Sequence, residues 1–258
     1  MSSTFLSNIF NTARLPGSPI ETVTGFVETF SYFTGITEDG GLFSTTADKG
    51  TWLVTADTFT SNGWNPRAMD NADGGYMEMA CDDDAGDHTQ AQVNGEMFYP
   101  TFGRPLIFQA RMKTKLVADK WFVGIAVNST DGIASAPADY IGIGSAAGGA
   151  TLQWGAGYDS SDSSVMTLTD TSPAITVVAD TFFSVGFEWD GLDTVTFWHH
   201  NESTGVLTKL GTLSSSVSPT GSKAEYMSPV LIIENPDAAD TFDATLTFDT
   251  LVCVQKGK

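Results

Sequence analysis

The chain has 258 residues and carries 31 Asp and Glu against 12 Lys and Arg, a formal net charge of −19. That excess of negative charge repels a phosphate backbone and an anionic lipid surface, which excludes nucleic acid and membrane as expected direct partners. Only 17% of the residues are charged and 41% are hydrophobic, with 26 Gly and 17 Phe, a composition that folds around a core.

Residues 1–25 stand apart from the rest. They hold Arg14, Pro16, Gly17 and Pro19, and no acid before Glu21. Phe5 with Ile9, or Leu6 with Phe10, falls at helix-like spacing, so residues 4–14 read as one short helix or as an extended arm. One reading of the segment is a frayed terminus. The other is an arm whose Phe5, Leu6, Ile9, Phe10, Arg14 and Leu15 contact a neighbouring subunit, because a solvated tail has no need of so many apolar groups. No basic start leads into an apolar stretch, so no signal peptide is expected and the product is expected to start in the cytoplasm. No run approaches the about 18 apolar residues of a membrane helix.

Residues 26–258 read as β throughout. The expected strands are 75–81, 89–99, 105–113, 120–128, 140–144, 151–155, 164–168, 181–189, 194–200, 206–210, 229–234 and 244–255. They are rich in Val, Ile, Thr, Phe, Tyr and Trp, and Gly, Asp, Asn and Ser separate them, as in sandwiches and barrels. In the last strand Leu246, Phe248, Thr250, Val252 and Val254 read as one mostly apolar face. Asp190-Gly191 and Ser203-Thr204-Gly205 read as hairpin turns, and Asp131-Gly132 closes the strand before it. Cys81 and Cys253 lie too far apart in sequence to form a framework or a metal spacing. They read as two buried thiols in strands, with a single disulfide as the other option.

Four groups of residues bear on chemistry. Asp82, Asp83, Asp84, Asp87 and His88, with Asp70 or Asp73, offer the oxygen ligands that Ca²⁺ wants, but they lack the offsets of an EF-hand. A polar loop held open by like charge explains them equally, and no metal or cofactor is expected. Glu188 and Asp190 are two apart on a strand, and retaining glycoside hydrolysis needs two carboxylates about 5 Å apart. Asp190-Gly191 as a turn places Asp190 and Asp193 at a rim instead. His199 and His200 point to opposite faces of a strand and cannot chelate one ion together. Of the six Trp, Trp121 and Trp189 sit in dense apolar runs and read as core, whereas Trp64, in a loop, is the candidate ligand contact. There is no Gly-x-Ser-x-Gly elbow and no phosphate-binding Gly loop.

Several stretches together resemble a concanavalin A-like (laminin-G-like) jelly roll. They are residues 104–113, 121–127, 180–191, 228–235 and 246–252, and the resemblance spans about residues 70–255. Their order is similar to that in structural proteins of tailed bacteriophages, including head-decoration proteins, where a stretch like 83–94 precedes a long strand pair. Residues 188–193 also resemble the Glu-x-Asp-x-x-Glu motif of laminarinase-type hydrolases, with Asp193 in place of the final Glu. The resemblance implies an all-β chain, a two-sheet antiparallel β-sandwich (residues 26–258) with an N-terminal arm (residues 1–25). It implies a non-enzymatic capsid decoration (cement) protein on the virion surface, a homotrimer bound to the major capsid protein. It transfers no catalytic or sugar-binding residue. The alternatives are a carbohydrate-binding module on a phage surface or tail, and a glycoside hydrolase using Glu188 with Asp190.

Overall fold

The computed structural model describes residues 23–29, 43–44, 52–56, 67–69, 76–81, 86–115, 117–128, 133, 136–145, 149–158, 166–236 and 244–256. In chain order the strands are β1 (Val23–Thr29), β2 (Phe43–Ser44), β3 (Trp52–Ala56), β4 (Arg67–Met69), β5 (Tyr76–Ala80), β6 (His88–Val93), β7 (Leu106–Thr114) and β8 (Lys120–Ala126). There follow β9 (Tyr140–Gly144), β10 (Gln153–Gly157), β11 (Thr169–Asp170), β12 (Phe183–Trp189), β13 (Thr194–Asn201), β14 (Val206–Ser214), β15 (Ser228–Glu234) and β16 (Thr245–Lys256). One sheet, A, runs β14-β13-β12-β7-β16, then β5-β4 along one half of β16 and β1 along the other. The other, B, runs β11-β10-β9-β8-β15-β6-β3-β2. All described pairings are antiparallel except the short β2–β3 contact. Among the described residues the helical content is a single 3₁₀ turn, Gly221–Lys223.

The two-residue period of the strands makes the sandwich. In β7, Leu106, Phe108, Ala110 and Met112 enter the core; in β12, Phe183, Val185, Phe187 and Trp189 do so; in β8, Trp121, Val123 and Ile125. Phe108 stacks on Phe187 at 5.3 Å between centroids, and Trp121 of sheet B meets Phe183 of sheet A at 5.9 Å. Each fully buried Phe of this kind contributes roughly 1.5–3 kcal/mol. Trp189 and Trp121 are core residues, as expected, and Trp52 joins them.

The last strand departs from its expected face. The β16–β7 register shifts between Phe248 and Thr250, so Asp249 sits in a bulge. Leu246 and Phe248 face the core before it, and Leu251 and Cys253 after it. Val252 and Val254 therefore turn outward, in register with Gln109 and Ile107. A second shift, between Phe197 and Trp198, leaves Leu210 as the extra residue of β14. Other differences are local. β6 ends at Val93, and Phe98 makes only an isolated bridge to Met227. β11 falls at 169–170, after the expected 164–168. β1 runs across the expected 25/26 boundary, pairing Val23 with Lys256 and Thr29 with Thr250. Cys81 and Cys253 are both free and buried.

The outer faces of the two sheets differ. On sheet B, Phe122, Ala126, Tyr140, Val230 and Ile232 form a second apolar cluster with Ile133, Ala136 and Met166 from loops laid over them. The Tyr140 ring occupies the space above Gly157, where an added Cβ would come within 2.1 Å of it. Its hydroxyl donates to the Thr167 carbonyl at 3.1 Å and accepts from the Thr167 N–H at 3.0 Å. Sheet A has no such cover among the described residues.

Candidate functional site: the open face of sheet A

The outward residues of sheet A fall in rows set by the registers. The central row is Lys209, Trp198, Gly186, Gln109 and Val252. One step along the strands lies Thr212, Thr196, Glu188, Ile107 and Val254. One step the other way lies Leu207, His200, Ser184, Arg111 and Thr250. Gly186 puts no side chain between the half-buried Trp198 indole and Gln109 in this row. Gln109 is 6% exposed, and its Oε1 receives no hydrogen bond. A buried amide oxygen without a donor costs roughly 1–3 kcal/mol.

The two ends of this face are held by polar locks. At one end Arg111 binds Glu202 through Nε (2.8 and 3.0 Å to Oε1 and Oε2) and Nη2 (2.8 Å), and Asp249 through Nη1 at 2.6 Å. Ser184 Oγ donates to Glu202 at 3.0 Å, and the guanidinium lies 4.2 Å from the centre of the Phe182 ring. Burial opposes the Arg111 charge, but Glu202 and Asp249 outweigh it and raise its pKa above the usual value. The bulge at Asp249 is what brings that carboxylate to Arg111.

At the other end Asp190 builds the β12–β13 turn. Its Oδ1 accepts from the N–H groups of Leu192 (2.7 Å), Asp193 (3.0 Å) and Thr194 (3.1 Å). Gly191 follows at φ +77°, a conformation side chains disfavour. Asp193 accepts from Thr194 Oγ1 at 2.7 Å. The hairpin expected from Asp190-Gly191 is thus present, and the two aspartates serve it. Glu188 remains on the open face. Burial, with Asp190 adding repulsion, pushes its carboxyl above the ordinary range. The face therefore carries a half-buried indole, a buried amide oxygen without a donor just beneath it, and a half-buried carboxyl whose pKa is raised. That set suits stacking and hydrogen bonding.

The other expected residues fall elsewhere. Phe5, Leu6, Ile9, Phe10, Arg14, Leu15 and Trp64 lie outside the described residues, as do Asp70, Asp73 and Asp82–Asp84. Asp87 and His88 are described; His88 is buried and pairs with Glu234 across β6 and β15. Glu234 accepts from Lys120 Nζ at 2.5 Å. The nearby Cys81 thiol is pushed far up by burial, with Asp119, Asp87 and Glu234 adding to it. His199 and His200 do point to opposite faces: His199 inward, His200 onto the open face. Trp198 and Gln109 were not singled out from the sequence. The alternation Val195, Phe197, His199 against Thr196, Trp198, His200 carries the signal for Trp198, once one set is known to be buried.

No protein-family model matches the chain, and no curated protein sequence matches it. Solved structures do match in fold. One is a protein of unknown function from Shewanella oneidensis MR-1, at TM-score 0.58 and 12% identity, covering 97% of this chain and 93% of that one. Another is the basic winged bean lectin with Tn-antigen, at 0.56 and 8%, covering 91% and 98%. A third is a glycosyl hydrolase family protein from Mycobacterium fortuitum, at 0.51 and 11%, covering 88% and 98%. At these identities the likeness carries the fold alone: a concanavalin A-like two-sheet sandwich, shared by lectins and glycoside hydrolases.

Proposed function

We propose that this concanavalin A-like sandwich is a non-enzymatic virion structural protein, a decoration protein that binds the major capsid protein of a tailed phage as a homotrimer. The observation that supports a docking role is an apolar rim at one end of the sandwich. Phe102, Leu192 and Tyr226 are 54%, 68% and 51% exposed there. Their loops are tied together: Gly103 N–H donates to the Gly191 carbonyl, Phe102 lies against Gly221, and Tyr226 stacks on Tyr99 at 4.6 Å. Large apolar groups clustered on an acidic surface are the mark of a face that another protein covers. Their burial across subunit junctions, together with the apolar residues of the arm, would stabilise the assembled shell by mass action. The test is mass spectrometry of purified virions followed by a shell-binding assay. The protein is expected in the particles, with Leu192→Asp weakening its binding about tenfold or more, a loss of about 1.4 kcal/mol. Particles that lack the protein would overturn the reading.

A second reading, a carbohydrate-binding module, is favoured by one specific observation: the Trp198–Gly186–Gln109 row, with its unpaired amide oxygen. An indole face stacks on the apolar C–H face of a sugar, and Gln109 and Glu188 take its hydroxyls. On a glycan array the expected result is binding that Trp198→Ala abolishes; an array without a binder removes this reading. This reading assigns Asp190 to the turn, where its Oδ1 accepts three backbone N–H groups, and gives it no role in hydrolysis.

A further inference from the structure

A pocket of about 200 Å³ lies at the other end of the sandwich from the apolar rim, beside the Arg111 end of the open face. Its floor is the start of β12 and the end of β13: Phe183, His199 and Asn201. Its wall is the segment 176–182, which spans from sheet B to sheet A. Val177 N–H donates to the Ala150 carbonyl on one side, and Asp180 N–H to the Thr114 carbonyl on the other. Both anchors are backbone hydrogen bonds, at 2.7 and 2.8 Å, so the wall is fixed.

The polar centre of the pocket is His199. It is 7% exposed, and among the described residues its ring nitrogens make no hydrogen bond; the ring contact it has is with Phe183, 6.0 Å between centroids. Burial, with His200 adding repulsion, lowers its pKa to about 4, so the imidazole is neutral at neutral pH. A neutral imidazole offers one donor and one acceptor. Around it stand the hydroxyls of Thr181 and Thr176 and the apolar groups of Val177, Val178 and Phe182. Among the described residues no carboxylate and no cation lines the pocket, which suits a neutral ligand. Its volume is below the roughly 300–1,000 Å³ that takes drug-sized ligands, so it fits one small ring.

We propose that this pocket binds a single neutral, polyhydroxylated ring of hexose or cyclitol size, held by hydrogen bonds to His199 and by contact of its apolar face with Val177 and Phe183. The site shares Phe182 with the Arg111 lock at the end of the open face, but none of the Trp198–Gly186–Gln109 row and none of the rim, and depends on neither of the two readings above.

The experiment titrates D-glucose, D-galactose and myo-inositol in turn into the full chain and follows the histidine imidazole signals by NMR. With three histidines in the chain, the signals are assigned by single substitutions. The expected result is a saturable shift of the His199 signal by at least one of the three rings, with a Kd near about 1 mM. His199→Phe is expected to weaken binding, read from the ligand signals, about tenfold, as loss of the ring's hydrogen bonds requires. Should that buried variant fail to fold, Val178→Trp serves instead: Val178 is 60% exposed at the mouth, and an indole there blocks entry. Retained His199 shifts in a folded Val178→Trp would overturn the proposal. So would shifts confined to the Trp198 indole N–H, or no shift of His199 with any ring up to about 100 mM, a concentration that half-fills even a site of very low affinity.

Discussion

Glu188 is the residue where the open face can be read in a stability measurement. Its pKa in the fold is raised, first by burial and then by Asp190, so the folded chain holds the proton to higher pH than the unfolded chain does. Whatever the protonated form contributes is fully present below the unfolded carboxylate pKa. It is lost as pH rises through the folded value. Glu188→Gln removes the charge at constant shape. The variant is therefore expected to exceed the parent at pH 7 by a few tenths of a kcal/mol, with solvent screening at a half-buried site limiting the gain. Urea unfolding at pH 7 and at pH 4 checks this, and the difference should close at the lower pH. A parent more stable than the variant at pH 7 would mean that a donor meets the carboxylate. The sequence marked this position as part of an i, i+2 carboxylate pair. It also marked Asp190-Gly191 as a turn, and the three amides on Asp190 Oδ1 are that turn.

At the scale of elements, the alternation of residue types made most strands legible, because each face of a strand meets a different medium. The order in which strands pair was not legible. β16 lies between β7 and β5, and β15 between β8 and β6, and such long-range choices leave no local trace in any one strand. The bulge at Asp249 hid in the same way: one extra residue reverses the phase, and Thr250 reads as well on either face. The loops over sheet B were equally silent, although Tyr140 states their attachment once the fold is known. Tyr140→Phe keeps the ring above Gly157 and removes both hydrogen bonds to Thr167. It should cost about 1–2 kcal/mol in denaturant unfolding. It should also speed hydrogen exchange at the Thr167 amide ahead of the core strands, since the loop opens locally. Unchanged protection of that amide would show that Met166 and its apolar contacts hold the loop alone.

For the whole molecule, the two sheets divide the work. Among the described residues, sheet B is closed on both faces, by the core and by its own loops; sheet A is closed on one by the core and carries Trp198, Glu188 and the buried Gln109 on the other. The net charge of −19 opposes close approach of copies of the chain, so a contact between them needs compensating burial of apolar groups such as Phe102 and Leu192. Charge alone would not suffice at high local concentration, where screening by salt shortens its reach to about 8 Å. The outermost strand of sheet A supplies a geometric safeguard. β14 is nine residues long and ends the sheet among the described residues, so its free N–H and C=O groups form a template for another strand. The extra residue at Leu210 breaks that template near its middle, and Lys209 beside it sets a charge on the same edge. An incoming strand finds at most four or so consecutive rungs before the spacing fails. Two such edges therefore cannot pair along their full length into one continuous sheet, whatever other contacts the molecules make.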